Sequence, residues 1–407
     1  MTETVDLRGD LRDDLRKKVE ALLAEHPPGT TEPLDFLRAQ FDAGLAWVHF
    51  PEGLGGLGIA RGHQGLVDDL LAAAGAPDND PGRIGIGLGM AAPTILTFGT
   101  DEQRSRFLRP LWTGEEVWCQ LFSEPGAGSD LAGLATRAVP DPSTGSGTEA
   151  GWVVNGQKVW TSSAHKARFA ILVARTDPAV PKHAGLTYFV CDMSDPGVEV
   201  RPLRQITGEA EFNEVFLTDV RIPDSHRLGA VGEGWKVANA TLNHERVAIG
   251  GGAPREGGMI GVVADAWRDH PERRTPELHA RLLWLWVEAE VARTTGQRLR
   301  QKLAVGAPGP EGAAMKVTFA RIAQQLSGLE LELLGEDGLR YEDWTMVRPE
   351  RVSFTGRDAG YRYLRAKGNS IEGGTSEILL NIVAERVLGL PAEARTDKDV
   401  PWKDLER

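Results

Sequence analysis

The sequence predicts an α+β protein in which helices come first, a β domain follows, and helices return. Three observations carry that order. Apolar residues recur at helical spacing in the first hundred positions. Short apolar runs separated by Pro, Gly and Asp fill the stretch from about 117 to 227. A long apolar helical stripe begins after Gly312. Strands and helices do not alternate one for one, which excludes a doubly wound βαβ sheet.

Each element has its own signal. Asp10–Ala24 places Leu11, Leu15, Val19, Leu22 and Leu23 at helical spacing, and His26-Pro27-Pro28-Gly29 stops it. A second helix is expected over Glu32–Gly44, with Pro33 in its first turn. Two more are expected over Gln64–Ala74 and Asp101–Leu111. From about Glu116 the texture changes. In Gly151–Trp160, Asn155-Gly156 stands between two apolar pairs, the signature of a hairpin turn. Strands are expected over Phe169–Ala174, Leu186–Cys191, Val198–Leu203 and Val215–Val220, with a surface loop at Asp141–Gly147. After Gly234 the helices resume. Leu282–Leu303 is one candidate. In the other, Met315, Phe319, Ile322, Leu326, Leu329 and Leu333 form one stripe.

Composition narrows the function classes. The chain has 407 residues, 41 % of them hydrophobic, enough for a sizeable core. With 58 acidic against 46 basic residues it carries a net charge of −12, which argues against nucleic acid. Two cysteines, Cys119 and Cys191, are too few for a disulfide framework or a four-thiolate zinc site. The acidic start Met1-Thr2-Glu3-Thr4-Val5-Asp6 is unlike a secretory signal, and no window is apolar enough to span a membrane. A soluble, cytoplasmic protein is therefore expected.

One motif is a decoy. Gly53-Leu54-Gly55-Gly56-Leu57-Gly58 matches G-x-G-x-x-G, but it follows Pro51-Glu52 between helical regions and lacks the strand a dinucleotide site needs. His244-Glu245 has no second histidine one turn on, which disfavours metalloprotease chemistry.

Three segments hold the chemistry. Trp118–Leu131 runs from strand-like residues into the turn Ser123-Glu124-Pro125-Gly126-Ala127-Gly128-Ser129-Asp130, where glycines permit close approach and hydroxyls can donate. It reads equally as a structural turn or a site. Lys158-Val159-Trp160-Thr161-Ser162-Ser163 offers an indole for stacking followed by hydroxyls, although most of the 11 tryptophans must be packing residues. In Asn369–Ile378, Gly373-Gly374 precedes Thr375 at a helix start, either an ordinary cap or a place where a ligand comes close.

Together with Phe212-Asn213-Glu214-Val215-Phe216-Leu217 and the ending Leu390-Pro391, these segments resemble the acyl-CoA dehydrogenase family over nearly the whole chain. The resemblance implies an N-terminal helical domain (1–116), a middle antiparallel β-barrel-like domain (117–227) and a C-terminal four-helix bundle (228–407). It implies FAD as cofactor and an acyl-CoA, or a carrier-protein thioester, as substrate. A base takes the α proton and flavin N5 takes the β hydrogen as hydride, giving the trans-2-enoyl thioester. Electrons then leave through an electron-transfer flavoprotein. A homodimer, homotetramer or heterotetramer is implied.

The resemblance also assigns residues. Some members carry the base where this chain has Gly373. Others carry it directly before an arginine on the first helix after the β domain, which here is Glu245 before Arg246. Glu245 is the expected base, with its pKa raised by burial, and Glu372 is the runner-up. Gly373 would still offer its backbone N–H to the thioester oxygen. Gln120, Phe122, Ser123, Gly128, Ser129, Trp160, Thr161, Ser162, Thr375 and Glu377 match cofactor-contacting positions. Ser129, Asn243 and Arg246 match substrate-contacting ones.

Departures are visible too. An R-x-x-F-G sequence, whose arginine reaches FAD in a neighbouring subunit, is replaced by His270-Pro271-Glu272-Arg273-Arg274-Thr275-Pro276-Glu277. Glu332-Leu333-Leu334-Gly335-Glu336-Asp337-Gly338 replaces a usual Gln-x-x-Gly-Gly, and Trp344–Gly360 is additional. These features resemble a divergent bacterial subgroup in which two unlike subunits share FAD sites. A partner subunit without independent turnover is therefore one alternative. A flavin monooxygenase or oxidase on the same fold is another, against which Glu245 counts.

Overall fold

The computed structural model describes residues 7–143, 150–249, 257–303, 309–341, 343–349, 356–395 and 397–405. The side chains of 7–10, 245–249 and 303 are outside that description, as is most of the expected loop at Asp141–Gly147. The described residues form two compact units, one up to Trp118 and one from Cys119 onward.

The first unit is helical: α1 (Leu7–Glu25), α2 (Pro33–Asp42), α3 (Gln64–Ala73), α4 (Pro81–Ile86), α5 (Ala92–Phe98) and α6 (Asp101–Trp112). The α1 stripe works as its spacing predicts. Leu15, Val19 and Leu22 are buried with Phe36 of α2 and Val67 and Leu71 of α3. A capping box starts α6. Thr100 Oγ1 accepts from Gln103 N at 3.3 Å, and Gln103 Oε1 accepts from Thr100 N at 2.8 Å. The Gly53–Gly58 run is a loop with no strand before it. A Cβ at Gly56 would stand 2.0 Å from Phe50 O and 2.4 Å from Trp47 O. Packing of the chain on itself accounts for that glycine.

The second unit opens with eight strands: β1 (Trp118–Leu121), β2 (Arg137–Pro140), β3 (Gly151–Ser162), β4 (Phe169–Arg175), β5 (Leu186–Asp192), β6 (Val198–Pro202), β7 (Phe212–Pro223) and β8 (Arg227–Leu228). Their order is β6-β7-β3-β2-β4-β5-β8, with β1 on β4. The sheet is mixed, because β2 meets β4 in parallel at Arg137–Arg175 while β3–β7, β4–β5, β6–β7 and β2–β3 are antiparallel. Strands β4 and β5 are buried almost throughout, which explains their unbroken apolar runs.

The expected hairpin at Asn155-Gly156 does not form. β3 runs through it as one 12-residue strand paired with β7. The pair of residues makes a bulge instead, with a register shift between Val154 and Gly156. Asn155 Nδ2 donates to Asp219 Oδ1 at 3.0 Å, and its Oδ1 accepts from Asp219 N at 3.0 Å. A Cβ at Gly156 would meet Thr136 Oγ1 at 2.2 Å, so close approach of β2 uses the glycine. Turn chemistry was spent on a kink.

The helices are α7 (Gly234–Ile249), α8 (Met259–Asp269), α9 (Pro276–Leu303), α10 (Glu311–Leu334), α11 (Ala359–Gly368) and α12 (Ser376–Ile382). Helix α10 is central, and α7, α8, α9, α11 and α12 all pack on it. Ile322, Leu326, Leu329 and Leu333 of the predicted stripe are buried with Val263 and Leu285. The stripe fails at its first turns. Phe319 is 40 % exposed, and Ala313, Lys316 and Ala320 are buried there instead. Among the described residues no helix is long and apolar enough to cross a membrane.

Candidate active site

The site begins where β1 ends. Gln120 is half-buried in β1. Phe122 is buried, with its ring edge-on to Tyr188 at 5.8 Å. Glu124 and Ala127 exchange both backbone hydrogen bonds at 3.0 Å, which closes a tight turn over Pro125-Gly126. Gly126, Gly128 and Ser129 are exposed at and beyond it. A Cβ at Gly126 or Gly128 would touch nothing within 4 Å, and neither has a positive φ. Neither packing nor backbone conformation requires glycine there, so these positions fit a ligand that comes up to the backbone.

A buried ion pair anchors this turn. Lys158 Nζ, fully buried, donates to Glu124 Oε1 at 2.9 Å, Phe122 O at 3.0 Å and Val173 O at 2.9 Å. Three donors meet three acceptors, as an ammonium requires. Glu124 also accepts from Ala135 N at 2.6 Å and Thr136 N at 2.9 Å. Burial pushes its carboxyl up, but the Lys158 charge and these hydrogen bonds outweigh it and hold the pKa below the ordinary value. Val159 N donates to Ser123 O at 2.9 Å, so the turn and the end of β3 meet.

The end of β3 aims Trp160 outward. Register slips between Lys158 and Thr161, and Trp160 takes φ +59°. Its indole is 57 % exposed and touches Phe212 edge-on at 5.8 Å. Thr161 is buried, and Ser162 is half-buried beside Phe212. Asn213 Nδ2 donates to Thr161 O at 3.0 Å and Glu211 O at 3.1 Å. Among the described residues, Thr161 Oγ1, His165 Nε2, Glu211 Oε2 and Asn213 Oδ1 are buried without a hydrogen-bond partner. Four unpaired polar atoms in and just beyond one end of the β3–β7 pair fit a place where a polar ligand or water is received.

Helix α7 is tied to this region. Tyr188 OH and Thr241 Oγ1 are 3.0 Å apart, both buried. Asn243 is half-buried two residues on. Glu245 and Arg246 lie within the helix, with side chains outside the described set.

The C-terminal segment shows the state of one of the two carboxylates the sequence left open, Glu372. Arg365 Nη1 and Nη2 hold Glu372 Oε1 and Oε2 at 3.0 and 2.9 Å. Arg365 Nη2 also lies 3.6 Å from Glu211 Oε1. Gly373 and Gly374 follow with φ +63° and +97°. Thr375 caps α12 by accepting from Ile378 N at 3.3 Å, and Glu377 is exposed in the first turn, where a negative charge suits the helix dipole. The chain thus joins Ser123, Trp160, Thr161 and Ser162 directly, and reaches Gly373 through Glu211, Arg365 and Glu372. No described contact brings Thr375 or Glu377 to the β3 end.

Sequence reasoning missed Lys158, Glu211, Lys316 and Arg365. A lysine at an inward strand position beside a motif glutamate was the available sign of the first pair. An arginine two helical turns before Glu372 was the sign of the second.

The chain matches the three domains of one family in order: "Acyl-CoA dehydrogenase, N-terminal domain" over residues 2–115, "Acyl-CoA dehydrogenase, middle domain" over 119–220 and "Acyl-CoA dehydrogenase, C-terminal domain" over 232–388. It is 41 % identical to acyl-CoA dehydrogenase FadE34 of Mycobacterium tuberculosis over 93 % of this chain. It spans only 49 % of that protein's length. It is 36 % identical to acyl-CoA dehydrogenase IpdE1 of the same organism, over 96 % of this chain and 97 % of the relative. Among solved structures, the Tcur3481-Tcur3483 steroid ACAD is 25 % identical with a TM-score of 0.69, covering 95 % of this chain and 98 % of that one. The ChsE4-ChsE5 complex from Mycobacterium tuberculosis is 26 % identical with a TM-score of 0.67, covering 97 % and 100 %.

Proposed function

Because the chain belongs to the acyl-CoA dehydrogenase family and is an oxidoreductase of that kind, we propose that it desaturates a steroid-derived acyl-CoA to the trans-2-enoyl thioester with Glu245 as base. The observation that supports this choice of base is the state of Glu372. Its carboxylate is held by both nitrogens of Arg365, and Gly373 beside it has no side chain. Glu245 stands four residues, one helical turn, after Thr241, whose hydroxyl meets Tyr188.

The residues divide the work by chemistry. Glu245 takes the α proton. The Gly373 N–H donates to the thioester oxygen as negative charge gathers there. Trp160 offers an exposed aromatic face, and Gln120, Phe122, Ser123, Gly128, Ser129, Thr161 and Ser162 line the cofactor side. Thr375 and Glu377 belong to its far end. Ser129, Asn243 and Arg246 hold the substrate. FAD, the usual cofactor of the family, supplies the acceptor for the β hydride when bound. Electrons pass on to an electron-transfer flavoprotein. The three-part division at 1–116, 117–227 and 228–407 belongs to the same reading. A steroid-derived acyl group is favoured because a solved relative is titled a steroid ACAD.

A second reading, a subunit that completes its FAD site with an unlike chain, has its own support. The arginines of the His270–Glu277 stretch are engaged within the chain. Arg274 donates to Trp267 O and Arg268 O, both at 2.9 Å, and the Arg273 guanidinium lies where a Cβ at Gly335 would be. Two solved relatives carry paired names, and one is titled a complex.

Glu245→Gln tests the assignment. Turnover with an artificial acceptor should fall by about 10²–10⁴-fold with flavin retained. Full activity would return the role to Glu372. For the second reading, a chain that purifies colourless and takes up flavin only when coexpressed with a second chain settles the shared site.

A further inference from the structure

We propose that Arg365 is a positioning residue for the Gly373–Gly374 turn, fixing the backbone N–H that meets the thioester oxygen and cancelling the charge of Glu372 beside it. The proposal rests on the reading of Gly373 given above. Two consecutive glycines at positive φ leave the chain free to point its N–H groups in many directions unless something holds both flanks. The structure holds both. On one side Arg365, 8 % exposed, grips Glu372 through two hydrogen bonds. On the other, buried Lys316 donates to Gly374 O at 2.7 Å, and Ser376 N donates to Ser370 O at 3.0 Å.

Arg365 also reaches across to the strand end that carries Trp160. Its Nη2 lies 3.6 Å from Glu211 Oε1, and Glu211 O accepts from Ser163 N at 3.3 Å. One guanidinium thus joins the turn to the β3 end, keeping thioester and cofactor sides in register. Charge gives a second reason. An unpaired carboxylate one residue before Gly373 would oppose the negative charge that develops on the thioester oxygen. Paired with Arg365, it does not.

Acetoacetyl-CoA tests this without turnover, because its bound α-proton acidity reports how strongly the thioester oxygen is stabilised. The probe is titrated by enolate absorbance on the flavin-loaded protein, with its partner chain if one is required. The unsubstituted protein should make the bound probe more acidic than the free one. Arg365→Met should lose about tenfold of that acidification, with flavin content and affinity for the neutral probe within about threefold. Arg365→Met/Glu372→Gln should regain part of it, since the stranded charge is gone. The double variant also serves if Arg365→Met alone does not load flavin. Unchanged acidity in Arg365→Met, or a double variant that regains none of the loss, overturns the proposal and leaves Gly373 in its role. No acidification by the unsubstituted protein overturns the Gly373 reading and this proposal with it.

Discussion

Glu124 and Glu211 are carboxylates of one β domain, 8 % and 7 % exposed, yet their surroundings drive them in opposite directions. Glu124 has an ammonium and two backbone N–H donors, and its pKa is held below the ordinary value. Glu211 has one guanidinium at 3.6 Å and an oxygen without a partner. Burial, only partly countered by Arg365 and aided by Glu209 and Glu372, pushes it up to about 7. Burial alone does not decide the charge of a carboxylate; the number of donors aimed at it does. The satisfied one anchors the motif turn. The unsatisfied one sits at the joint between the sheet and the C-terminal turn.

The contrast can be broken from the anchor side first. Lys158→Met strands Glu124 in the interior and should cost about 3–5 kcal/mol in urea unfolding, with loss of flavin loading. A cost below about 1 kcal/mol would show that the pair is not an anchor.

Glu211 supplies the next test. Its folded pKa lies above its unfolded value, so the folded state binds the extra proton and stability falls as pH rises from about 4.5 to about 7. The charged and titratable groups around it are Arg365, Glu209, Glu372, Tyr361 and, beside Asn213, His165. The loss across that window should be about 2–4 kcal/mol, and Glu211→Gln should flatten it. An unchanged slope in the variant would place the titration elsewhere.

Smaller effects separate cofactor contact from folding. Trp160→Ala should change stability by less than about 1 kcal/mol, since the indole is more than half exposed, while weakening flavin binding about tenfold. Asn155→Ala removes both hydrogen bonds to Asp219 and should cost about 0.5–1.5 kcal/mol per bond without touching flavin affinity.

Local patterns were legible and long-range pairings were not. The β4 and β5 runs were readable because both strands are buried almost throughout, and α1 and α6 because burial follows the helical period there. Asn155-Gly156 misled because the same permissive dipeptide serves a hairpin or a bulge, and only the partner strand decides. The α10 stripe overreached at Phe319 because the face buried at that end carries Ala313, Lys316 and Ala320 instead. The Ser123–Asp130 segment, Trp160 and the Gly373-Gly374 pair were visible as candidates from residue type. The state of Glu372 was not, since it depends on which face Arg365 presents once α11 packs on α10.

The identity of the base is the claim most open to direct measurement. Exchange of the α proton of a bound saturated acyl-CoA with deuterated solvent, with electron acceptors excluded, reports the base apart from hydride transfer. Exchange should persist in Glu372→Gln and fall by about 10²–10⁴-fold in Glu245→Gln. The reverse pattern, loss in Glu372→Gln and persistence in Glu245→Gln, would contradict the account.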